Sequence, residues 1–168
     1  MEELVAPPDG LKHRLLRETS RAKKVEAMRR SLEFMQSTGT ASFLEFREGG
    51  VEGVFALREA AESLDIDPFI LGRETVDAME AADGFGASGA NDADFGRERT
   101  ATKRAGKTFG IHAGEADPSD INPALDLSPD FLVHVVHPEP IHLDRIEDSE
   151  IPIAGLSALE PRDWGRYA

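Results

Sequence analysis

Lys107-Thr-Phe-Gly-Ile-His-Ala-Gly-Glu115 and Asp130-Phe-Leu-Val-His-Val-Val-His137 decide how this sequence folds. Each holds a short apolar run of the kind a strand buried on both faces carries. The spacing predicts strands over Lys107–His112 and Asp130–Val136. Between them Ser119–Leu127 reads as a short helix, with Ser119 or Asp120 as its cap. Pro123 confines that helix to its start or breaks it.

The same alternation extends in both directions. Upstream, Arg14–Ser37 reads as one helix, because Leu15, Leu16, Val25, Met28, Leu32 and Met35 recur at roughly helical spacing. Gly39 stands where a helix-ending glycine belongs. Strands are expected at Thr40–Phe46 and Pro68–Gly72, with a weaker one at Gly84–Gly89. Helices are expected at Val51–Leu64, Glu74–Ala82 and Asp94–Ala105. Downstream, Glu139–Asp148 reads as a helix that tolerates Pro140 in its first turn, and Ile151–Ala154 as a last short strand. About six strand-helix units in series point to parallel strands joined by crossover helices. On the residues alone, a doubly wound open sheet and a (β/α)8 barrel both fit. A complete barrel takes ~250 residues, so the 168 present here would leave it incomplete.

Composition narrows the function. The chain carries 32 acidic and 19 basic side chains, a formal net charge of -13. That balance argues against nucleic acid or an anionic membrane as partner, since both call for positive charge. With no cysteine in the sequence, disulfides, thiolate ligands and a thiol nucleophile are excluded. No stretch approaches the ~18 apolar residues of a membrane span, and Met1–Arg14 lacks the apolar core of a signal peptide. A cytoplasmic protein is expected. Only five lysines among so many acids suggest a surface suited to high salt. Neither a dinucleotide fingerprint nor a P-loop occurs. Gly84-Phe-Gly-Ala-Ser-Gly89 has the wrong spacing for the former.

Four of the five histidines fall between 112 and 142. His112 and Glu115 end one predicted strand, and His134 and His137 end the next. Parallel α/β folds bring the C-terminal ends of adjacent strands to one face, where their active sites lie. His112, Glu115 and His134 can therefore converge there, and the role of His137 is left unassigned. Imidazoles beside a carboxylate suit metal-assisted hydrolysis: neutral imidazole binds zinc or iron, and a carboxylate shuttles the proton. Gly114 keeps the loop small, so that Glu115 can turn back. His13 and His142 read as surface residues, and Asp117, Asp120 and Asp144 as solvated charges. Asn91 and Asp92, in the 86–92 loop, read as turn residues, with contact to substrate as the alternative.

Phe109-Gly-Ile-His-Ala-Gly-Glu115 resembles the His-x-x-Glu strand end of the metal-dependent amidohydrolase superfamily, nearest its cytosine/adenosine deaminase and chlorohydrolase branch. Phe131-Leu-Val-His-Val-Val-His137 resembles the next strand of those barrels. Gly86–Asp92 and Phe46–Gly53 also resemble segments of them. The resemblance implies an incomplete TIM-type barrel over 1–153, with 154–168 an irregular tail. It implies His112 as a metal ligand, Glu115 as general acid/base and His134 as contact to the water or the metal. The implied cofactor is a divalent metal, zinc or iron. The implied reaction is hydrolysis of a carbon–nitrogen bond in a small molecule, with deamination of an aminated heterocycle foremost. Substrate-binding residues are not implied.

The sequence departs from that family at both ends. It has no His-x-His pair, and Ala154-Gly-Leu-Ser-Ala replaces the family's continuation after its last strand here. These departures set out the expectation of a truncated chain that self-associates or is completed by another chain. The alternative reading is an inactive remnant or binding module on the same α/β framework.

Overall fold

The computed structural model describes residues 11–155. Two helices open it, α1 (Leu11–Glu18) and α2 (Arg21–Ser37). One continuous helix was expected here, but the chain breaks at Thr19-Ser20, where Ser20 takes an extended conformation ahead of α2. Short hydroxyl side chains compete for backbone groups and favour such a boundary over a helix interior.

Strand and helix then alternate: β1 (Ser42–Arg47), α3 (Gly50–Ala61), β2 (Asp67–Gly72), α4 (Val76–Ala81), β3 (Gly84–Gly89), α5 (Gly96–Ala105) and β4 (Thr108–Ala113). A single 3-10 turn (Pro118–Asp120) leads into α6 (Ile121–Asp126), so Pro123 sits in a first helical turn. β5 (Phe131–His134), α7 (Pro140–Ser149) and β6 (Ile153–Ala154) complete the series. The predicted tail at 154–168 lies almost wholly outside the described residues.

All five strand pairs are parallel, and the six strands stand in chain order. A doubly wound sheet reverses its order at a switch point, and this one does not. It also curls. Phe46 on β1 packs edge-on against His112 on β4, with ring centroids 4.5 Å apart, and lies 6.2 Å from Phe131 on β5. At ~4.8 Å per strand, a flat sheet would hold β1 and β5 roughly 19 Å apart. The architecture is an incomplete (β/α) barrel, an arc of six parallel strands with helices outside.

The two faces of the arc differ in composition. Outward, Phe85, Ala87, Phe109, Ile111, Ala113 and Leu132 pack with Met79, Ile121, Leu125 and Ile146 of the helices. Val25, Leu32, Val54, Leu57 and Ile70 form a second outer cluster. Inward, glycine makes room for the aromatic rings. A Cβ on Gly86 would stand 2.4 Å from the Phe46 ring, and one on Gly110 would stand 2.4 Å from that of Phe131. The inner residues Leu44 and Phe69 remain exposed at the mouth of the arc. Lys107 ties the layers together, donating to the carbonyls of Met79, Glu80 and Ala82 at the end of α4. No described helix is long and apolar enough to cross a membrane.

Candidate metal centre

Alternation along β4 sends Phe109, Ile111 and Ala113 outward and leaves Gly110 and His112 facing in. On β5 the same rule sends Leu132 outward and Val133 inward, which would turn His134 away from His112. The backbone overrides the rule. His134 has φ 75° and Val135 φ 49°, a left-handed pair in residues that carry a Cβ. The chain therefore leaves the strand early, and β5 is shorter than Asp130–Val136. The turned segment is held to the end of β4. The N–H of Val135 donates to the Ala113 carbonyl, and those of Val136 and His137 donate to the Gly114 carbonyl.

That turn brings the His134 ring to His112. The Nδ1 of His112 and the Nε2 of His134 are 2.9 Å apart, so one of them carries the proton between them. Glu115 reaches back over the pair, its Oε2 3.5 Å from His134 Nε2. Gly114, at φ 64°, makes that return possible, and a Cβ there would meet Ile121 at 2.8 Å. One ligand atom from each of His112, Glu115 and His134 lies within 4.8 Å of the others. The three residues singled out from the sequence are thus brought together.

The electrostatics favour a ligand. Burial first, then the charges of His134 and Arg73, push His112 down to about 4, against the weaker pull of Glu115 and Asp92. The imidazole is therefore neutral at neutral pH, the form that coordinates a cation. Its Nε2 is buried with no hydrogen-bond partner among the described residues. Buried polar atoms are rarely left so, and an orphaned imidazole nitrogen beside a second imidazole and a carboxylate fits a divalent metal.

Other sequence readings resolve differently. His137 is exposed and stands outside the cluster. Asp120 is not merely a solvated charge. Its Oδ1 accepts the Gly114 N–H at 2.7 Å, which fixes the turn that carries Glu115. Asp117 accepts from Ser119 and is held below the usual carboxylate range by those bonds. His142 is buried rather than on the surface, because its Nδ1 folds back to accept the N–H of Glu139 at the start of α7. The Asn91 amide donates to Ser119, linking the loops after β3 and β4. The side chain of His13 lies outside the described residues. Arg73 was not singled out from the sequence, although its position just past β2, at the same end of the strands as His112, could have marked it.

The left-handed backbone at His134 yields a direct test. That conformation costs a residue with a Cβ roughly 1–2 kcal/mol and glycine almost nothing. Against a common loss of the imidazole, His134→Gly is expected to be more stable than His134→Ala by about that amount in denaturant unfolding. Equal stabilities of the two variants would contradict the assigned backbone.

No family model matches the chain. A protein of Methanothermobacter thermautotrophicus, provisionally named an aminohydrolase, is 33% identical over 89% of this chain and 47% of its own length. One of Archaeoglobus fulgidus with the same provisional name is 33% identical over 89% of this chain and 45% of its own length. An uncharacterized protein of Methanocaldococcus jannaschii is 31% identical, with 91% and 48% covered. The chain thus spans about half the length of the curated relatives it matches. Among solved structures, the Arabidopsis N6-mAMP deaminase superposes with TM-score 0.65 at 15% identity, over 85% of this chain and 55% of that one. Arabidopsis ADAL complexed with IMP gives 0.66 at 15%, over 85% and 54%. These likenesses support the barrel fold, and the relatives' names support an aminohydrolase relationship.

Proposed function

We propose that this chain supplies one face of a metal-dependent hydrolase that breaks a carbon–nitrogen bond, removing an amino group from an aminated heterocycle. The convergence of His112, Glu115 and His134 within 4.8 Å carries the reading. The aminohydrolase names of the archaeal relatives and the deaminase neighbours support it. The cytosine/adenosine deaminase and chlorohydrolase branch is the one we favour, on the sequence motifs.

His112 would hold the metal, zinc or iron, through its Nε2, with His134 and Glu115 at hand to contact the water or the metal. When bound, such an ion would supply Lewis acidity toward water, making it a better nucleophile at neutral pH. The residues do the rest. Glu115 takes a proton from the attacking water and returns it to the departing amine. Its exposure suits that exchange. His134, oriented by its backbone turn, faces the water, and Phe46 seals one side of the His112 ring. Residues 1–153 would form the barrel segment. Further strands from a second copy or a complementing chain would cover Leu44 and Phe69. A cytoplasmic, salt-adapted setting fits the charge of -13.

The test is zinc affinity and metal content of the purified chain at high salt, beside His112→Ala. We expect one metal per chain at micromolar affinity or better, with a loss of at least a hundredfold in the variant. No metal in either protein would leave the motif residues without a site and favour an inactive remnant.

A further inference from the structure

A cavity of about 1110 Å³ lies over the C-terminal ends of β1, β2 and β3, between them and α1 and α2. Ser88 and Asp92 form its border toward the metal centre, since Gly89 pairs in register with His112. The lining holds five cations, Arg47 and Arg73 among them, against the four acids Glu48, Glu52, Glu74 and Asp92, a small positive excess in a protein whose net charge is -13.

The Arg47 and Arg73 side chains are only 15% and 25% exposed, and Lys24 is half-buried, whereas Arg17 is exposed and Arg21 is 47% exposed and pairs with Glu52 and Glu59. Both sit just where a parallel strand ends, Arg47 as the last residue of β1 and Arg73 as the first after β2. Each touches an acid through one nitrogen: Arg47 Nη1 is 3.2 Å from Glu45, and Arg73 Nη1 is 3.4 Å from Glu48. Arg47 also donates through Nε to the Glu48 carbonyl at 3.1 Å and lies 3.4 Å from the Met28 sulfur. The two carboxylate contacts are longer than the 2.7–2.9 Å of a strong charge-assisted bond, and neither is the two-pronged pairing a guanidinium makes with a well-placed oxyanion. Half-buried charges are also screened less than surface ones.

We propose that Arg47 and Arg73 form an oxyanion-binding subsite of the substrate cavity, receiving a phosphate or carboxylate group carried by the substrate away from the bond that breaks. The inference rests on the hydrolase reading of the adjoining centre. An incoming oxyanion exchanges the two long carboxylate contacts for forked ones made through the Nη groups, Arg47 Nε staying on the Glu48 carbonyl. The metal centre then addresses the other end of the same molecule. A role for these pairs in holding strand ends alone would give no anion effect.

The experiment is calorimetric titration of the resin-treated, metal-free chain with inorganic phosphate and, separately, with malonate. Ionic strength is matched with chloride throughout. Phosphate binding identifies a phosphate-bearing substrate and malonate binding a carboxylate, and either at millimolar or tighter affinity supports the subsite. Arg73→Gln and Arg47→Gln are expected to weaken it at least tenfold. Arg73→Lys, which keeps the charge and loses the fork, should fall between. Arg58→Gln, an exposed guanidinium beside Asp83, should match the parent chain. Circular dichroism and melting check the fold of each variant, and Arg73→Lys retains a readout if a glutamine variant fails to fold. Neither anion binding better than chloride, or undiminished affinity in folded Arg73→Gln and Arg47→Gln, would overturn the proposal. Zinc affinity is read independently. Zinc without anion binding removes only the subsite, and anion binding without zinc removes the hydrolase reading.

Discussion

Glu115→Gln is expected to lower turnover about 10²–10⁴-fold, the range general acid–base groups contribute, while zinc affinity and KM change by less than about threefold. The amide matches the carboxylate in size and can still hydrogen-bond, but it cannot accept a proton from water and pass it on. The geometry makes this separation clean. Glu115 is reached through the Gly114 turn, is held at 3.5 Å from His134, and is 69% exposed. Removing its charge therefore leaves no buried partner unpaired and no packing disturbed. The two imidazoles keep their mutual contact at 2.9 Å. The measurement is steady-state deamination of aminated heterocycles, followed by ammonia release, together with metal content. A fall in kcat that tracks a fall in metal content would make Glu115 a ligand instead. Turnover within tenfold of the parent would remove it from proton transfer.

His112→Ala acts earlier in the same chain of events, by removing a donor. The two variants therefore separate metal holding from proton movement. That separation matters because His112 and Glu115 are only three residues apart and their roles were read from one motif. The folded molecule distinguishes them by burial: His112 has a nitrogen sealed from water, and Glu115 faces solvent.

Order along the chain was legible wherever local pattern decides it. Phe109, Ile111 and Ala113 alternate with Gly110 and His112, and that pattern alone places His112 on the inner face. Legibility fails where distant residues set the outcome. The left-handed step at His134 depends on hydrogen bonds from 135–137 to the end of β4, which no window on β5 contains. Curling, and with it the contact of Phe46 with His112, depends on glycines at 86 and 110 meeting rings from other strands. His142 looked like a surface residue because its polarity is visible in sequence and its bond to the Glu139 N–H is not. Asp120 was misread for the same reason.

Phe109→Ala is expected to destabilise the chain by about 3–5 kcal/mol, the range for a fully buried phenylalanine. Domains of this size have ~5–15 kcal/mol in all. The Phe109 ring is 0% exposed and stacks on Phe85, with centroids 5.8 Å apart and planes 14° apart. The Arg99 guanidinium lies 5.4 Å above it, and reaches on to the Leu127 and Ser128 carbonyls. The backbone of the same residue is clamped by Asp130, whose carboxylate accepts its N–H at 2.7 Å and whose own N–H donates to its carbonyl. Truncation thus opens a cavity where α5, β3, β4 and the start of β5 meet. Phe109 and His112 share one short strand, so loosening its outer face frees its inner one. Denaturant unfolding of the metal-free variant reads the stability loss. Zinc titration under conditions where the variant is still folded should then show affinity weakened well beyond the effect of the exposed Phe55→Ala. Unfolding within 1 kcal/mol of the parent would mean that the outer layer does not hold β4, and that the site's geometry is set from within the arc by Phe46 and Phe131.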